Sequence, residues 1–339
     1  MSIWRSDMTG IDIGTSAVKV VRISGARRQT IMSAQILELP LAESAGGGRE
    51  DALRMFKAGG KVGKRTATLL PGKHLTIRHL TFPKMPPAEL QEAVQWESKR
   101  HIPYSLDTAV IEYLVLGERL EGSVEKCDVL LVAADRSAVN EFLAAFERVG
   151  MDIDVLDAHP LALRNVLRLR KEPPDENVLL VDIGAGKTEI DIFRQGALRF
   201  SRCIETGGLD ATHAVAADLG VGLEEAEAIK VMTNVVSAPD DDRAAASIRT
   251  KLDTILLEIR RSIEYFKTSF REKAVAHTIL TGGVALTPGI REYFSRSLDG
   301  PVEIDDPFSG VGADTGVLDE LRGQSSRFAA AVGLALRRA

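Results

Sequence analysis

Apolar and polar residues alternate with a short period in two stretches of the chain, and a glycine-rich turn interrupts each stretch. In one, Leu179, Leu180, Val181 and Ile183 form an apolar run that ends at Gly184. Ile190, Ile192 and Phe193 follow, broadly alternating with Glu189 and Asp191, before Gln195-Gly196 turns into a candidate strand from Ala197 to Phe200. A period of two puts successive side chains on opposite faces, so the pattern predicts a three-stranded meander with tight turns. The same order occurs near the start, with Val18, Val20 and Val21 after Gly14 and then the turn Ser24-Gly25. Aligning Asp12 with Asp182 aligns Ile13 with Ile183 and Gly14 with Gly184, about half of the 339 residues apart. One duplication of such long period predicts two related lobes rather than a solenoid.

Other elements lie between and after the copies. Pro86-Pro87 opens a helix to about His101, halted before Pro103. Ile111 to Leu116 and Val129 to Ala133 read as strands, Ser137 to Val149 as a helix ended by Gly150, and Ile153 to Leu156 as a short strand. Residues 81–155 are therefore expected to form an α/β insertion, between a first part of lobe I (1–80) and the remainder (156–339). Ala42 to Gly48 reads as a flexible loop and Asp240 to Asp242 as a solvated turn. Leu252, Ile255, Leu256, Ile259, Ile263, Phe266 and Phe270 share one face of a helix of about five turns, a spacing typical of core. Phe328 to Leu336 reads as a buried C-terminal helix with Arg337 and Arg338 at its carboxyl end, returning to lobe I.

Composition narrows the function. A net charge of −5 with 27% charged residues argues against a broad basic surface for nucleic acid, and 5% aromatics against base-stacking platforms. Cys127 and Cys203 lie too far apart for metal-ligand spacing or a disulfide framework, which fits a reducing compartment. No apolar run reaches the ~20 residues of a membrane helix, and the short polar start, Met1 to Gly10, does not read as a secretory leader. The expected location is cytoplasmic, with any membrane association made through a partner.

The repeated turns carry the candidate chemistry. A phosphate grip needs several backbone N–H groups aimed at one place, which glycines at Gly14, Gly184 and Gly186 permit, with Ala185 between the last two. Thr15, Ser16 and Thr188 add hydroxyls, and Lys19 and Lys187 can neutralise phosphate charge. Asp12 and Asp182, at the strand ends, suit magnesium, directly or through its water. One such turn alone reads as an ordinary glycine turn; two, half a chain apart, suggest hairpins facing one ligand. Gly282-Gly283 after an apolar strand suits an adenine lying against bare backbone. Gly207-Gly208 opens a helix whose N-terminus suits phosphate. Glu227 and Lys230, three apart on a later helix, suit the ribose and purine edge, or else form a surface ion pair.

Together, in this order, these segments resemble the actin and sugar-kinase superfamily. Within it the chain is similar to the FtsA-related PilM family of type IV pilus assembly proteins. Phe82-Pro-Lys-Met-Pro, Glu92-Ala-Val-Gln-Trp-Glu97, Ile102-Pro103, Glu224-Glu-Ala-Glu with Lys230, Glu258-Ile-Arg-Arg-Ser-Ile-Glu-Tyr-Phe266 and the tail to Leu336 carry the likeness. It implies an actin-like, ribonuclease H-like duplicated α/β fold with an FtsA-type inserted subdomain and ATP with Mg2+ in the cleft. It also implies a partner, the N-terminal cytoplasmic peptide of the inner-membrane protein PilN, received near the insertion, with other pilus components and a ring in the assembled machine. Two departures stand out. The second turn reads Gly184-Ala-Gly-Lys-Thr188, where relatives often carry small hydroxylated residues. His159, in Asp157-Ala-His-Pro160, stands where the family often has glutamate. Asp157 is a polar group in the neighbourhood where active relatives orient water, but no catalytic residue is assigned, and at most slow ATP hydrolysis is expected. The competing readings are a sugar kinase or phosphatase of the same fold, an FtsA-like filament former, and a type II secretion paralogue.

Overall fold

The computed structural model describes residues 7–25, 29–41, 47–170, 172, 175–270, 272–313, 316–317, 321 and 323–337. Its first sheet is built on the N-terminal meander of β1 (Met8–Ile13), β2 (Ala17–Ile23) and β3 (Thr30–Glu38). Helix α1 (Gly47–Ala58) and β4 (Arg65–Leu69) follow, and β4 lies parallel to β1. Of the expected loop at Ala42 to Gly48, residues 42–46 lie outside the described residues, and Gly47 and Gly48 open α1.

The chain next builds a separate three-stranded antiparallel sheet. It consists of β5 (Leu75–Pro83), β6 (Ala109–Glu121) and β7 (Val124–Asp135), in the order β5-β7-β6. Helix α2 (Pro87–Ser98) starts at the Pro-Pro pair and covers one face of this sheet, with Leu90 and Val94 against Val129 and Leu131. This unit spans 75–135, whereas the sequence placed an insertion at 81–155. The difference has a packing cause. Helix α3 (Arg136–Arg148) buries Phe146 with Ile11 and Val18 of the first sheet, and β8 (Val155–Asp157) pairs with β4. Strand pairing and burial tie both elements to the first sheet, although local periodicity could not assign them to either.

Helix α4 (His159–Leu167) leads to the second meander of β9 (Asn177–Ile183), β10 (Thr188–Arg194) and β11 (Ala197–Ile204). Helices α5 (Gly208–Leu219), α6 (Leu223–Met232) and α7 (Arg243–Phe270) follow. Then come β12 (Val275–Thr281), α8 (Ile290–Ser295) and β13 (Val302–Ile304). The second sheet runs β11-β10-β9-β12-β13. The apolar stripe of α7 is core as expected: Leu252, Ile255, Leu256, Ile259 and Phe266 pack with Leu179, Val181 and Ile190 of the sheet. The short strand β14 (Gly312–Ala313) returns to β3, and α9 (Ala329–Ala335) is wholly buried. Helix α9 packs on β1 and on α4, whose Leu163 and Leu167 also join Leu180 and Phe193 of the second sheet. Helix α4 thus touches both halves of the duplication. Arg338 lies outside the described residues, while Arg337 forms an ion pair with Asp157.

Candidate functional site

The two repeated turns have the same backbone closure. Gly14 N donates to Ala17 O and Gly184 N to Lys187 O, each at 2.9 Å. The turns also face one another: a methyl group on Gly186 would stand 2.7 Å from Thr15 Oγ1. Thr15 and Gly186, far apart in sequence, are thus brought into close approach, and the missing side chain of Gly186 leaves room for the Thr15 hydroxyl.

Their supports differ. The start of α5 holds the second turn, with Gly208 N and Leu209 N donating to the carbonyls of Gly184 (2.9 Å) and Ala185 (2.8 Å). Asp210 caps this end by accepting from Gly207 N at 2.8 Å. The Gly207-Gly208 amides are therefore occupied within the chain, and this pair supports the hairpin. The Thr188 hydroxyl donates to Thr206 O at 2.8 Å and is fully buried, and Lys187 Nζ lies 2.7 Å from Glu189 Oε1. Lys187 and Thr188 thus make internal contacts, while Ser16 contributes its carbonyl to Leu39 N.

The carboxylates are paired differently. Asp12 stands in register with Lys19 on β2, and Lys19 Nζ reaches Asp12 Oδ2 at 2.9 Å. The corresponding partner of Asp182 is Glu189, another carboxylate. The positive partner comes instead from α4, whose His159 Nε2 is 2.9 Å from Asp182 Oδ2. Burial opposes charge on His159, but the hydrogen bond and charge of Asp182, with the charge of Glu189, outweigh it and raise the imidazole pKa. Burial likewise opposes ionisation of Glu189, yet His159 and Lys187 hold its pKa below the usual value. Two residues further along β10, Asp191 is fully buried, and neither carboxylate oxygen has a hydrogen-bond partner. Burial, then the charge of Glu189, pushes Asp191 up to about 8. A cavity of about 330 Å³ adjoins His159 and Glu189, lined also by residues including Gly72, Arg78 and Cys203. A larger hollow of about 460 Å³ lies by α8 and β13, with no hairpin residue in its lining.

On the far side of α5, Lys230 Nζ donates to Gly208 O (3.1 Å), Thr212 Oγ1 (2.9 Å) and Glu227 Oε2 (2.6 Å). Burial lowers its pKa despite Glu227. The Glu227–Lys230 pair is thus placed beside the glycine pair that backs the second hairpin. Gly282 (φ +87°) passes so close to β9 that a methyl group there would be 2.3 Å from Asp182 Oδ1. The same position on Gly283 meets nothing within 4 Å and faces open space.

Asp157 differs from the sequence reading. It is buried, accepts from Ala158 N at 2.8 Å and pairs with Arg337, so it anchors the chain after α9 rather than a water. The residue of that stretch that reaches the site is His159. The sequence marked His159 as standing where the family often has glutamate, which does not point to Asp182. The two aspartates of the repeated turns are thus each engaged within the chain, Asp12 Oδ2 by Lys19 and Asp182 Oδ2 by His159. Among the described residues no group of three or more His, Cys, Asp or Glu forms a protein-only metal cage. Both cysteines are free thiols.

Residues 10–339 match the family model described as Type IV pilus assembly protein PilM. A chain of a solved PilM-PilN type IV pilus biogenesis complex superposes with a TM-score of 0.84 at 28% identity, covering 98% of each chain. The cell division protein FtsA of Neisseria meningitidis serogroup B is 27% identical over 277 residues, 73% of this chain and 65% of FtsA. The chain thus spans less than two thirds of that curated relative. MreB5 of Spiroplasma citri, solved with bound AMPPNP, superposes with a TM-score of 0.51 at 12% identity over 97% of this chain and 94% of its own, a likeness of fold. The architecture is the expected two-lobed actin-like one. No helix among the described residues is long and apolar enough to cross a membrane.

Proposed function

We propose that this chain, which belongs to the type IV pilus assembly protein PilM family, holds a nucleotide between its two hairpins and in that state receives the N-terminal cytoplasmic segment of a PilN-like inner-membrane protein. The observation that carries the partner is the 98% mutual coverage with a chain of the PilM-PilN complex. The observation that favours the ligand is the close approach of the two repeated turns at Thr15 and Gly186, each turn closed by the same glycine hydrogen bond.

Each residue has a role in this reading. The amides of the two turns and the Thr15 hydroxyl bind phosphate oxygens, and Lys19 moves from Asp12 to neutralise them. Asp12 and Asp182 hold magnesium, which supplies charge neutralisation to the phosphates when bound. Gly283 offers open backbone to the base, with Lys230 and Glu227 at its edge. ATP then acts as a ligand that favours one arrangement of the lobes, by its differential affinity for that arrangement. The partner side is the three-stranded sheet, where Trp96 of α2 and Leu120 and Val124 of the β6–β7 hairpin are exposed apolar side chains. The protein would then work at the cytoplasmic face of the inner membrane through its partner.

The test is thermal unfolding with ATP and magnesium, because a ligand bound to the native state alone raises apparent stability. Wild type should be stabilised, and Asp12→Ala and Asp182→Ala should each lose most of that gain while remaining folded. A synthetic PilN N-terminal peptide should then bind more tightly in the presence of ATP. No stabilisation by nucleotide, or peptide binding indifferent to it, would sink the reading. The FtsA likeness favours one second reading, nucleotide-dependent filaments, which sedimentation at high protein concentration with ATP would detect.

A further inference from the structure

The inserted sheet belongs to the first lobe by sequence and to the second by packing. Its chain ends continue from β4 and into α3, both elements of the first lobe. Successive side chains of β7 point to opposite faces. On one face Val129 and Leu131 lie under Leu90 and Val94 of α2. On the other, Leu130 is 3% exposed and joins a core with Leu180, Phe193 and Leu198 of the second sheet and with Leu163 and Leu167 of α4. Ile77 and Val132 of the insertion pack against the same core, to which the first lobe adds Ala329 at the start of α9. Among the described residues, the three buried clusters built on the first sheet, around Val21, Ile11 and Met8, hold no residue of the insertion.

Polar contacts follow the same division. Buried Asp128 of β7 accepts from Thr81 Oγ1 at 2.8 Å and from Arg119 Nε at 3.2 Å, both within the insertion. Its Oδ2 also lies 3.7 Å from Arg199 Nη1 of β11. Arg199 Nη2 in turn donates to Glu272 Oε1 at 3.2 Å, and Arg194 Nη1 donates to the other Glu272 oxygen at 2.9 Å. Arg199 thus bridges a carboxylate of the insertion and one that follows α7. On β5, the His79 ring stands edge-on to Phe270 at the end of α7, with centroids 5.4 Å apart. The lead-in to β5 rests on the second lobe as well: a methyl group on Gly72 would be 3.4 Å from Glu189 Oε1 and 3.6 Å from Cys203 Sγ. The bond to α3 is that of a chain neighbour, from Arg136 N, directly after β7, to Thr108 O at 2.8 Å.

We propose that the inserted sheet, although spliced into the first lobe, forms one cooperative unit with the second lobe, held by the core around Leu130 and by the Arg199 bridge. Separating a buried apolar face costs free energy in proportion to the surface exposed, whereas the connections to β4 and α3 are single backbone segments that can bend. Rotation between the lobes then carries the insertion with the second lobe. It turns the exposed side chains of Trp96, Leu120 and Val124 relative to the first sheet. For its functional meaning this rests on the partner reading given above, and it adds how the partner side would be regulated; the cooperative unit itself stands on packing.

The experiment is native-state amide hydrogen exchange of the full chain, read by mass spectrometry without nucleotide or peptide. Leu130→Ala should speed exchange by roughly thirtyfold or more, the scale set by truncating a buried leucine, in β5–β7 and in β9–β10. The effect should extend to α5, whose Ala211 and Val215 pack in the second-lobe core with Val181 and Ile190. Exchange in β1, β2 and α1 should stay as in wild type. Ile11→Val, in the first-lobe core, should do the converse, speeding β1, β2 and α1 by roughly two- to tenfold and sparing β5–β7. Arg199→Met keeps the aliphatic stem and should give the Leu130→Ala pattern at roughly threefold or more, and it reads that pattern even where Leu130→Ala fails to fold. An effect of either second-lobe variant that stops short of α5 would make the insertion a separate unit. An equal effect in β1 and β2 would make the whole chain one unit. Either result overturns the proposal, as does Ile11→Val reaching β5–β7. Failure of the PilN peptide to bind would sink the partner reading and leave the exchange pattern standing, so the two failures are distinguishable.

Discussion

The hairpins β1–β2 and β9–β10 begin alike and end in different electrostatics. Asp12 and Lys19 occupy the same register positions in the first as Asp182 and Glu189 in the second. The first hairpin is therefore neutralised within itself. The second carries two carboxylates across one strand pair and draws His159 from α4 and Lys187 from its own turn to balance them. Duplicated backbone geometry thus does not carry duplicated chemistry. One copy pairs its carboxylate with its own lysine, and the other needs a histidine from α4 as well as its own lysine to balance two carboxylates.

The largest expected effect breaks the second hairpin mechanically. Gly282→Ala puts a methyl group at positive φ against Asp182 and the Ile183 carbonyl, and should cost more than about 2 kcal/mol in denaturant unfolding. Gly283→Ala, with open space at the same position, should stay within about 0.5 kcal/mol of wild type yet weaken nucleotide binding. Equal effects on stability would show that Asp182 is not held by this backbone. Next, Lys19→Glu gives the first hairpin the register pair of the second without a histidine to compensate. Nucleotide affinity measured by calorimetry should fall by roughly tenfold or more. An unchanged affinity would make the two hairpins interchangeable after all.

The buried carboxylate beyond Glu189 gives a pH test. Asp191, pushed up to about 8, keeps a proton in the folded state over a range where the unfolded chain has released it. Folded protein binds more protons there, so this group's contribution to stability is present at low pH and is lost as pH rises toward 8. The loss approaches about 1.4 kcal/mol per pH unit within that window. Asp191→Asn should remove the slope, so the advantage of the variant over wild type should grow from about pH 5 to about pH 8 in urea unfolding. Parallel curves would place no such proton on Asp191. The smallest effect separates two threonines. Thr188→Ala should cost about 1 kcal/mol of stability, the worth of its bond to Thr206, and leave nucleotide affinity alone. Thr15→Ala should do the reverse, lowering affinity with little change in unfolding.

Much of this was legible along the chain. The meanders, the α7 stripe and the glycine turns are local, because each follows from side-chain period and backbone freedom within a few residues. The edges of the inserted sheet were less so. Leu75–Pro83 mixes apolar with polar residues and Val155–Asp157 is only three residues long, and the choice of pairing partner, β7 for one and β4 for the other, assigns each to its sheet. Within the site, Asp12 with Lys19 was readable as a motif, but the engagement of Thr188, Lys187 and the α5 amides was not. Each of those groups is chemically suited to phosphate and is taken by a neighbour that folding brings to it.

The sequence by itself determined the duplication, the two facing turns and the residue types able to hold phosphate and magnesium, since these depend on short-range pattern and composition. Tertiary structure alone decided which of those residues remain available and that His159 of α4 meets Asp182. The reason is charge compensation in a buried place: a carboxylate facing another carboxylate must find a cation, and which one it finds depends on how helices and sheets pack rather than on neighbours in the chain.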